Sequence, residues 1–308
     1  MQNLEQKPTL DIKTQLEQLD GVSMVRKVMI DEEFLKHAKE KLFIDKAELV
    51  SNIEETSKRI DAYTYKYLSD GLSVRGYLWV PKNVKEHVPL VIFNRGGTGH
   101  FGEIGTLRGE LMLHHGAIIA RMGVIVVATE YRGGGYDSEG KDERGGGDLN
   151  DVTNLRETIR KLPIVEKGKN IVVGASRGGM MAYILASREP WVKGVVSIAG
   201  EADMFMTEKA RPEMKQIYEE SYGGSDEEKK KRSATHFYND IPKDLPILML
   251  HGDNDKRVSV EQTRKLYSLL KESSHNVKYI EYIGAGHSLK EVGDQMFSSV
   301  EEFIKNNT

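Results

Sequence analysis

Three short stretches of the chain hold residues whose types and positions could do acyl-transfer chemistry. The first is Gly174-Ala175-Ser176-Arg177-Gly178, set between the apolar run 171–173 and a helical pattern that begins near Gly179. Small residues two before and two after a serine, at a strand-to-helix junction, fit the tight elbow that lifts a hydroxyl clear of the backbone. The helix N-terminus beyond it also favours developing negative charge. The second stretch, His251-Gly252-Asp253-Asn254-Asp255-Lys256-Arg257-Val258, follows the apolar run 247–250 and offers two carboxylates. The third, Gly284-Ala285-Gly286-His287-Ser288, offers an imidazole on a loop that two glycines can tighten. A serine hydroxyl is a weak nucleophile near neutral pH. It needs an imidazole to take its proton, and the imidazole needs a carboxylate to set its tautomer and stabilise its charged form. With 30 glycines in 308 residues the serine pentapeptide arises readily by chance, so its strand and helix flanks carry the weight.

The elements that must position these residues are legible as texture. Residues 1–58 are charged and lack β-rich runs, and Leu35, Ala38 and Leu42 recur at helical spacing after the capping residue Asp31, so a helical N-terminal extension is expected. Residues 61–81 predict two strands joined at Asp70-Gly71. Beyond Pro81, short continuous apolar runs (PLVIFN, GVIVVATEY, NIVVGAS, VKGVVSIAG, PILMLHGD, VKYIEYI) alternate with helical patterns. Continuous rather than alternating apolarity implies parallel strands covered on both faces, hence a doubly wound, mostly parallel α/β sheet over 59–308. Ligands of such sheets bind at the carboxyl ends of the strands, where Ser176, the two aspartates and His287 all fall. A last helix with Met296, Val300, Phe303 and Ile304 on one face should close onto the sheet. Residues 201–245 read as a small insertion before the acid-bearing strand, its SDEEKKKRS stretch as a solvated helix face. The glycine-rich stretch 132–148 fits no phosphate-binding spacing and reads as a mobile surface loop beside a site.

Composition narrows the function. Forty-four basic and 47 acidic residues leave a net charge of -3, so no basic field draws nucleic acid. The absence of cysteine excludes disulfides, zinc–thiolate and iron–sulfur sites and cysteine nucleophiles. No apolar run approaches the about 20 residues of a membrane helix, and the first residues lack a secretory signal, so a cytoplasmic protein without a membrane partner is expected. No histidine and carboxylate spacing suggests a metal, and no cofactor is called for.

Competing readings exist for several of these residues. Gly174 to Gly179 also resembles the first turn of short-chain dehydrogenases, but Met180 occupies the third glycine position and several strands precede it. The Tyr267 and Lys271 pair lies on a late amphipathic helix and reads as structural. Glu201 and Asp203 are lesser rivals for the acid role. His114 and His115 read as mid-helix residues and His251 as a structural residue closing its strand. A non-catalytic binding protein on the same scaffold is a further reading, although a binding module needs neither a strained serine nor its base.

Taken together, GASRGG, HGDNDKRV and GAGHSL resemble the catalytic domain of the prolyl oligopeptidase family of serine hydrolases, and the order Ser, Asp, His is that of the α/β-hydrolases. The resemblance runs from about Tyr63 to Ile304 and includes DGLSVRGYLWVPKN, the turn FNRGG and the loop YRGGG. It implies an α/β-hydrolase fold with Ser176 as nucleophile, Asp255 rather than Asp253 as the acid, and His287 as general base. It also implies an oxyanion hole made by the backbone N–H of Arg177 and a backbone donor near Gly96, since the Arg95-Gly96-Gly97 turn lacks the tyrosine some members place there. Arg257 falls where the endopeptidases hold a substrate carbonyl, and Arg95 and His100 are further substrate-binding candidates. The N-terminal 58 residues are too few for the β-propeller of the large peptidases. A small-molecule ester or short peptide is thus the expected substrate, with homo-oligomerisation through the N-terminal segment a further expectation.

Overall fold

The continuous apolar runs can be buried only by covering a sheet on both faces, and the chain does this. The structure, a computed structural model, describes residues 11–308 apart from 42–46, 83, 85–86, 106–107 and 136. Its strands are β1 (Val22–Lys27), β2 (Ile60–Ser69), β3 (Leu72–Pro81), β4 (Val88–Asn94), β5 (Ile125–Thr129), β6 (Val165–Ala175), β7 (Gly194–Ile198), β8 (Ile247–Gly252) and β9 (Val277–Tyr282). They form a nine-stranded sheet in the order β1-β2-β3-β5-β4-β6-β7-β8-β9. The β1–β2, β2–β3 and β3–β5 pairs are antiparallel, and the pairs from β5–β4 to β8–β9 are parallel. In β5, β7 and β8 every residue is buried, as unbroken apolar runs require. Alternation then divides each strand between two cores. Leu90 and Ile92 of β4 join Leu155, Met180 and Leu266 on one face, while Val91 and Phe93 join Ile119, Met296 and Val300 on the other. The expected hairpin is present: Ser69 pairs with Leu72, and Asp70 and Gly71 take left-handed φ values of 51° and 81°, the pair of conformations that matches strand twist in a two-residue turn.

The N-terminal segment departs from expectation. It is not all helical, because Val22–Lys27 adds the edge strand β1 to β2 through pairs such as Val22 with Tyr67 and Lys27 with Tyr63. Only Val25 of this strand is buried, so its hydrophobic pattern is too thin to read as a strand. Pairing with β2, which is distant in sequence, supplies what local pattern does not. The helix Glu32–Lys41 is present, and Asp31 accepts a hydrogen bond from the Phe34 N–H at 2.7 Å. Phe34 and Leu35 pack against the core of the catalytic region, and the helix Ala47–Arg59 buries Val50 and Ile53. The described part of the apolar stripe is therefore covered by the same chain; the Ala38 side chain and Leu42 lie outside the described residues.

Two further segments are more buried than their polarity suggests. The insertion folds into the helices Met204–Ala210, Met214–Tyr222, Asp226–Arg232 and Ala234–Phe237. Its charged run is not wholly solvated: Lys229 is buried between Glu208 and Asp226, and the Arg232 guanidinium is buried over the Tyr222 ring at 3.9 Å. Arg232 also donates to the Arg144 carbonyl at 2.7 Å, which ties the insertion to the 132–148 segment. That segment is not wholly at the surface. Asp142, Arg144 and Asp148 are buried within it, and their partners make up much of the ground beneath the site.

Candidate active site

β6 ends at Ala175 and the helix Arg177–Arg188 begins two residues later, leaving Ser176 alone to turn the chain. Its backbone is strained, with φ 55° and ψ -121°. The flanking glycines are required by space. A Cβ on Gly174 would lie 2.0 Å from the Gly178 carbonyl oxygen, and one on Gly178 would lie 2.0 Å from that of Asn94. The strain is held by hydrogen bonds: the Ser176 N–H donates to the Ile198 carbonyl at 2.9 Å, and its own carbonyl accepts from Gly179 at 2.9 Å and Glu201 at 3.2 Å.

Three strand ends converge here. The Ser176 Oγ lies 3.1 Å from His287 Nε2, and His287 Nδ1 lies 2.7 Å from Asp255 Oδ2. The other Asp255 oxygen accepts from the backbone N–H groups of Arg257 at 2.7 Å and Val258 at 2.9 Å. An ionised Asp255 accepts from Nδ1–H, which leaves the Nε2 lone pair facing the serine hydroxyl. Asp253 instead accepts from the Gly284 N–H at 2.6 Å and braces the loop that carries His287. Glu201 pairs with Arg144, and Asp203 caps the helix Met204–Ala210, so neither rival carboxylate bonds to the imidazole. Tyr267 packs on Tyr279, in keeping with a structural role.

His251 was legible only as a strand-closing residue, yet it is a second imidazole on the same carboxylate. Buried on β8, it places Nε2 3.1 Å from Asp255 Oδ2 and 3.0 Å from the Val258 carbonyl, with Nδ1 2.7 Å from Thr263 Oγ1. Both neighbours of Nε2 are acceptors, so Nε2 carries the proton and Nδ1 accepts from the threonine hydroxyl. Burial by itself would raise the Asp255 pKa. The hydrogen bonds from His251, His287 and the Val258 N–H outweigh it and hold the carboxyl well below the ordinary range. The signal for this role was the four-residue separation of His251 and Asp255 across a turn, which local pattern does not distinguish from chance.

On the other side of Ser176 lies the turn that follows β4. Gly96 approaches so closely that a Cβ there would stand 3.1 Å from Ser176 Cβ and 3.7 Å from its Oγ. Arg177 opens its helix, so its N–H has no acceptor within that helix. Arg95 does not face the site. Its buried guanidinium pairs with Glu130 and donates to the carbonyls of Gly96, Gly99 and Glu130, so its part is to shape the turn. His100 is exposed and pairs with Glu103 at 3.0 Å. The exposed Arg257 side chain lies over the ring of Phe101, 5.3 Å from its centroid, and so spans from the acid-bearing loop to the turn after β4. His114 and His115 lie at a helix junction rather than mid-helix: His114 Nδ1 caps the helix His115–Ala120 by accepting from the Gly116 N–H at 3.0 Å, and its ring stacks on Trp79.

Comparison with known proteins agrees with this architecture. The model of the prolyl oligopeptidase family matches residues 111–308. An uncharacterized peptidase of Bacillus subtilis, YtmA, is 30% identical over 70% of this chain and 82% of its own length. The acylaminoacyl peptidase of Pyrococcus horikoshii superposes with a TM-score of 0.70 at 19% identity, over 83% of this chain and 43% of that one. An esterase of Pyrococcus furiosus superposes at 0.61 with 16% identity, over 82% of this chain and 92% of that one. The chain belongs to the prolyl oligopeptidase family and is a serine hydrolase of the α/β-hydrolase fold.

Proposed function

We propose that this family member hydrolyses carboxylic esters or short peptides through an acyl-enzyme on Ser176, with His287 as general base, Asp255 as the orienting acid, and the N–H groups of Arg177 and Gly96 as oxyanion donors. The observation that carries the reading is the continuous relay from Ser176 Oγ to His287 Nε2 at 3.1 Å and from His287 Nδ1 to Asp255 at 2.7 Å, built on a strained serine. The hydroxyl proton moves to Nε2 as Oγ attacks the acyl carbon, and the carbonyl oxygen takes the negative charge. The resulting imidazolium is stabilised by Asp255, which its four donors keep ionised. His287 then gives the proton to the leaving group, and a water activated by the same nitrogen releases the acid.

Activated esters should turn over faster than amides. A phenolate departs with little help, whereas an amide nitrogen must be protonated by His287 as it leaves, which demands a rigidly held substrate. The names of the relatives favour peptides, so the ester and peptide arms are both needed. A fluorophosphonate probe should label Ser176 and no other residue. Ser176→Ala should abolish labelling and lower turnover of p-nitrophenyl butyrate by about 10⁴-fold or more, with the fold intact. Folded wild-type protein that is unlabelled and inert toward esters and anilides alike would overturn the proposal. Anilide hydrolysis as fast as ester hydrolysis would reverse the substrate preference only.

A further inference from the structure

We infer that the Arg177 guanidinium is a positioning element for the oxyanion hole, so that this one residue joins both halves of it: its backbone N–H is one donor and its side chain holds the turn that carries the other. The inference rests on the acyl-transfer reading above. The turn after β4 is held in part by its own residues, since Arg95 donates to the carbonyls of Gly96, Gly99 and Phe101 and the Phe101 N–H donates to that of Thr98. Gly97, Gly99, Gly102 and Gly105 all take left-handed φ values between 55° and 99°, and glycine in such conformations has the largest freedom to lose. The rest of its support comes from beneath. Arg177 Nη1 donates to the Gly97 carbonyl at 2.8 Å and to Asp142 Oδ2 at 2.6 Å, and Asp142 Oδ2 in turn accepts from the Gly99 N–H at 2.8 Å. The side chain therefore grips the turn twice, once directly and once through Asp142.

The guanidinium is itself held through both terminal nitrogens, while its buried Nε has no hydrogen-bond partner among the described residues. It is buried, its Nη2 pairs with Asp148, and its plane lies over the ring of Tyr131 at 4.9 Å. Arg95 lies over the same ring at 5.0 Å and donates to Gly96 and Gly99 of the same turn. Asp148 accepts from the N–H groups of Gly145 and Gly146, which anchors the assembly to the 132–148 segment. A lysine has its three donors on one nitrogen and not on a planar fork, so it does not reproduce the two-nitrogen geometry that meets Gly97 and Asp142 from Nη1 and Asp148 from Nη2. Donors help an oxyanion only when they are already aimed where the charge develops, and a turn loosened by a fraction of an ångström loses that advantage while substrate binding continues.

The test is Arg177→Lys, read by kcat, KM, the affinity of an alkyl boronic acid that forms a tetrahedral adduct on the serine, and the pH dependence of kcat/KM. The expected result is a kcat for p-nitrophenyl butyrate lower by about 10- to 100-fold, boronate affinity lower by the same factor, KM within about threefold, and the pH midpoint unchanged. A residue that only neutralises two buried carboxylates would alter thermal stability without that parallel loss. A folded Arg177→Lys that keeps kcat and boronate affinity within about twofold overturns the inference, as does a kcat loss with boronate affinity intact or with a displaced pH midpoint. If Arg177→Lys does not fold, Asp142→Asn, which retains the shape but weakens the second grip, carries the test with the same criteria and an expected loss of about 3- to 10-fold. Wild-type protein inert to ester and boronate alike would instead sink the acyl-transfer reading itself.

Discussion

The 132–148 segment and residues 22–29, which hold the edge strand β1, both carry charge and little apolar periodicity, yet the fold treats them in opposite ways. The first is drawn under Ser176, where Asp142, Arg144 and Asp148 are buried and matched to Arg177, Glu201 and Thr98. The second stays at the rim of the sheet, where Met24 and Met29 are exposed and ion pairs such as that of Lys27 with Asp61 face solvent. Polarity does not decide burial in this protein; partners do. A buried charge removed from its partner costs about 3–5 kcal/mol, whereas an exposed pair is worth about 0–1 kcal/mol. The site region accordingly holds a strained serine and a glycine-rich turn in place, and the rim has no such task.

The sharpest test of this contrast lies within the site, between two aspartates two positions apart. Asp255→Asn should lower kcat by about 10³- to 10⁴-fold, because an amide sets the wrong imidazole tautomer, while Asp253→Asn should cost far less. If the two variants exchange places in a turnover assay, the assignment of the acid is wrong. Across the two regions, Asp148→Ala should destabilise the protein by about 3–5 kcal/mol in urea unfolding, against less than about 1 kcal/mol for Lys27→Ala. Equal effects would mean that burial does not set the cost of losing a partner.

A smaller effect should follow from acid. His114 is buried, and burial lowers its pKa to about 3, with the neighbouring His115 adding to the shift. The folded protein therefore resists a proton that the unfolded chain accepts below about pH 6.5. Stability tied to this group is fully present above that value and is lost progressively as pH falls toward 3, by about 2 kcal/mol at pH 5. The fall in Tm between pH 7 and pH 5 should be smaller in His114→Asn, which retains a capping oxygen; an identical fall in both proteins would remove His114 as its source. The smallest effect belongs to the edge strand, where Met24→Lys should shift Tm by no more than a degree or two, since it touches no core. A large loss there would mean that the rim is as demanding as the site.

How far the sequence alone reached can be read from particular residues. The parallel strands β4 to β9 and the Asp70-Gly71 turn were legible because continuous apolarity and turn chemistry are local signals. The positions of Ser176 and His287 at the ends of apolar runs are local signals as well, whereas the choice of Asp255 over Asp253 comes from the family resemblance and not from local pattern. β1 was not, because a strand with one buried residue acquires its identity from the partner β2. The inward-facing, carbonyl-bound Arg95 and the buried Lys229 and Arg232 are not legible in sequence, for a shared reason: a charged side chain shows no sign there of the carbonyl or carboxylate that will meet it.

Periodicity, and residues near one another in the chain, specify the set of elements and the chemical types available at their ends. Tertiary structure alone decided which groups share an atom. His251 and His287 converge on one oxygen of Asp255, and Arg177 bridges Gly97, Asp142 and Asp148, through contacts that span up to 80 positions. The physical reason is that hydrogen bonds and ion pairs act over about 3 Å in space and are indifferent to separation along the chain.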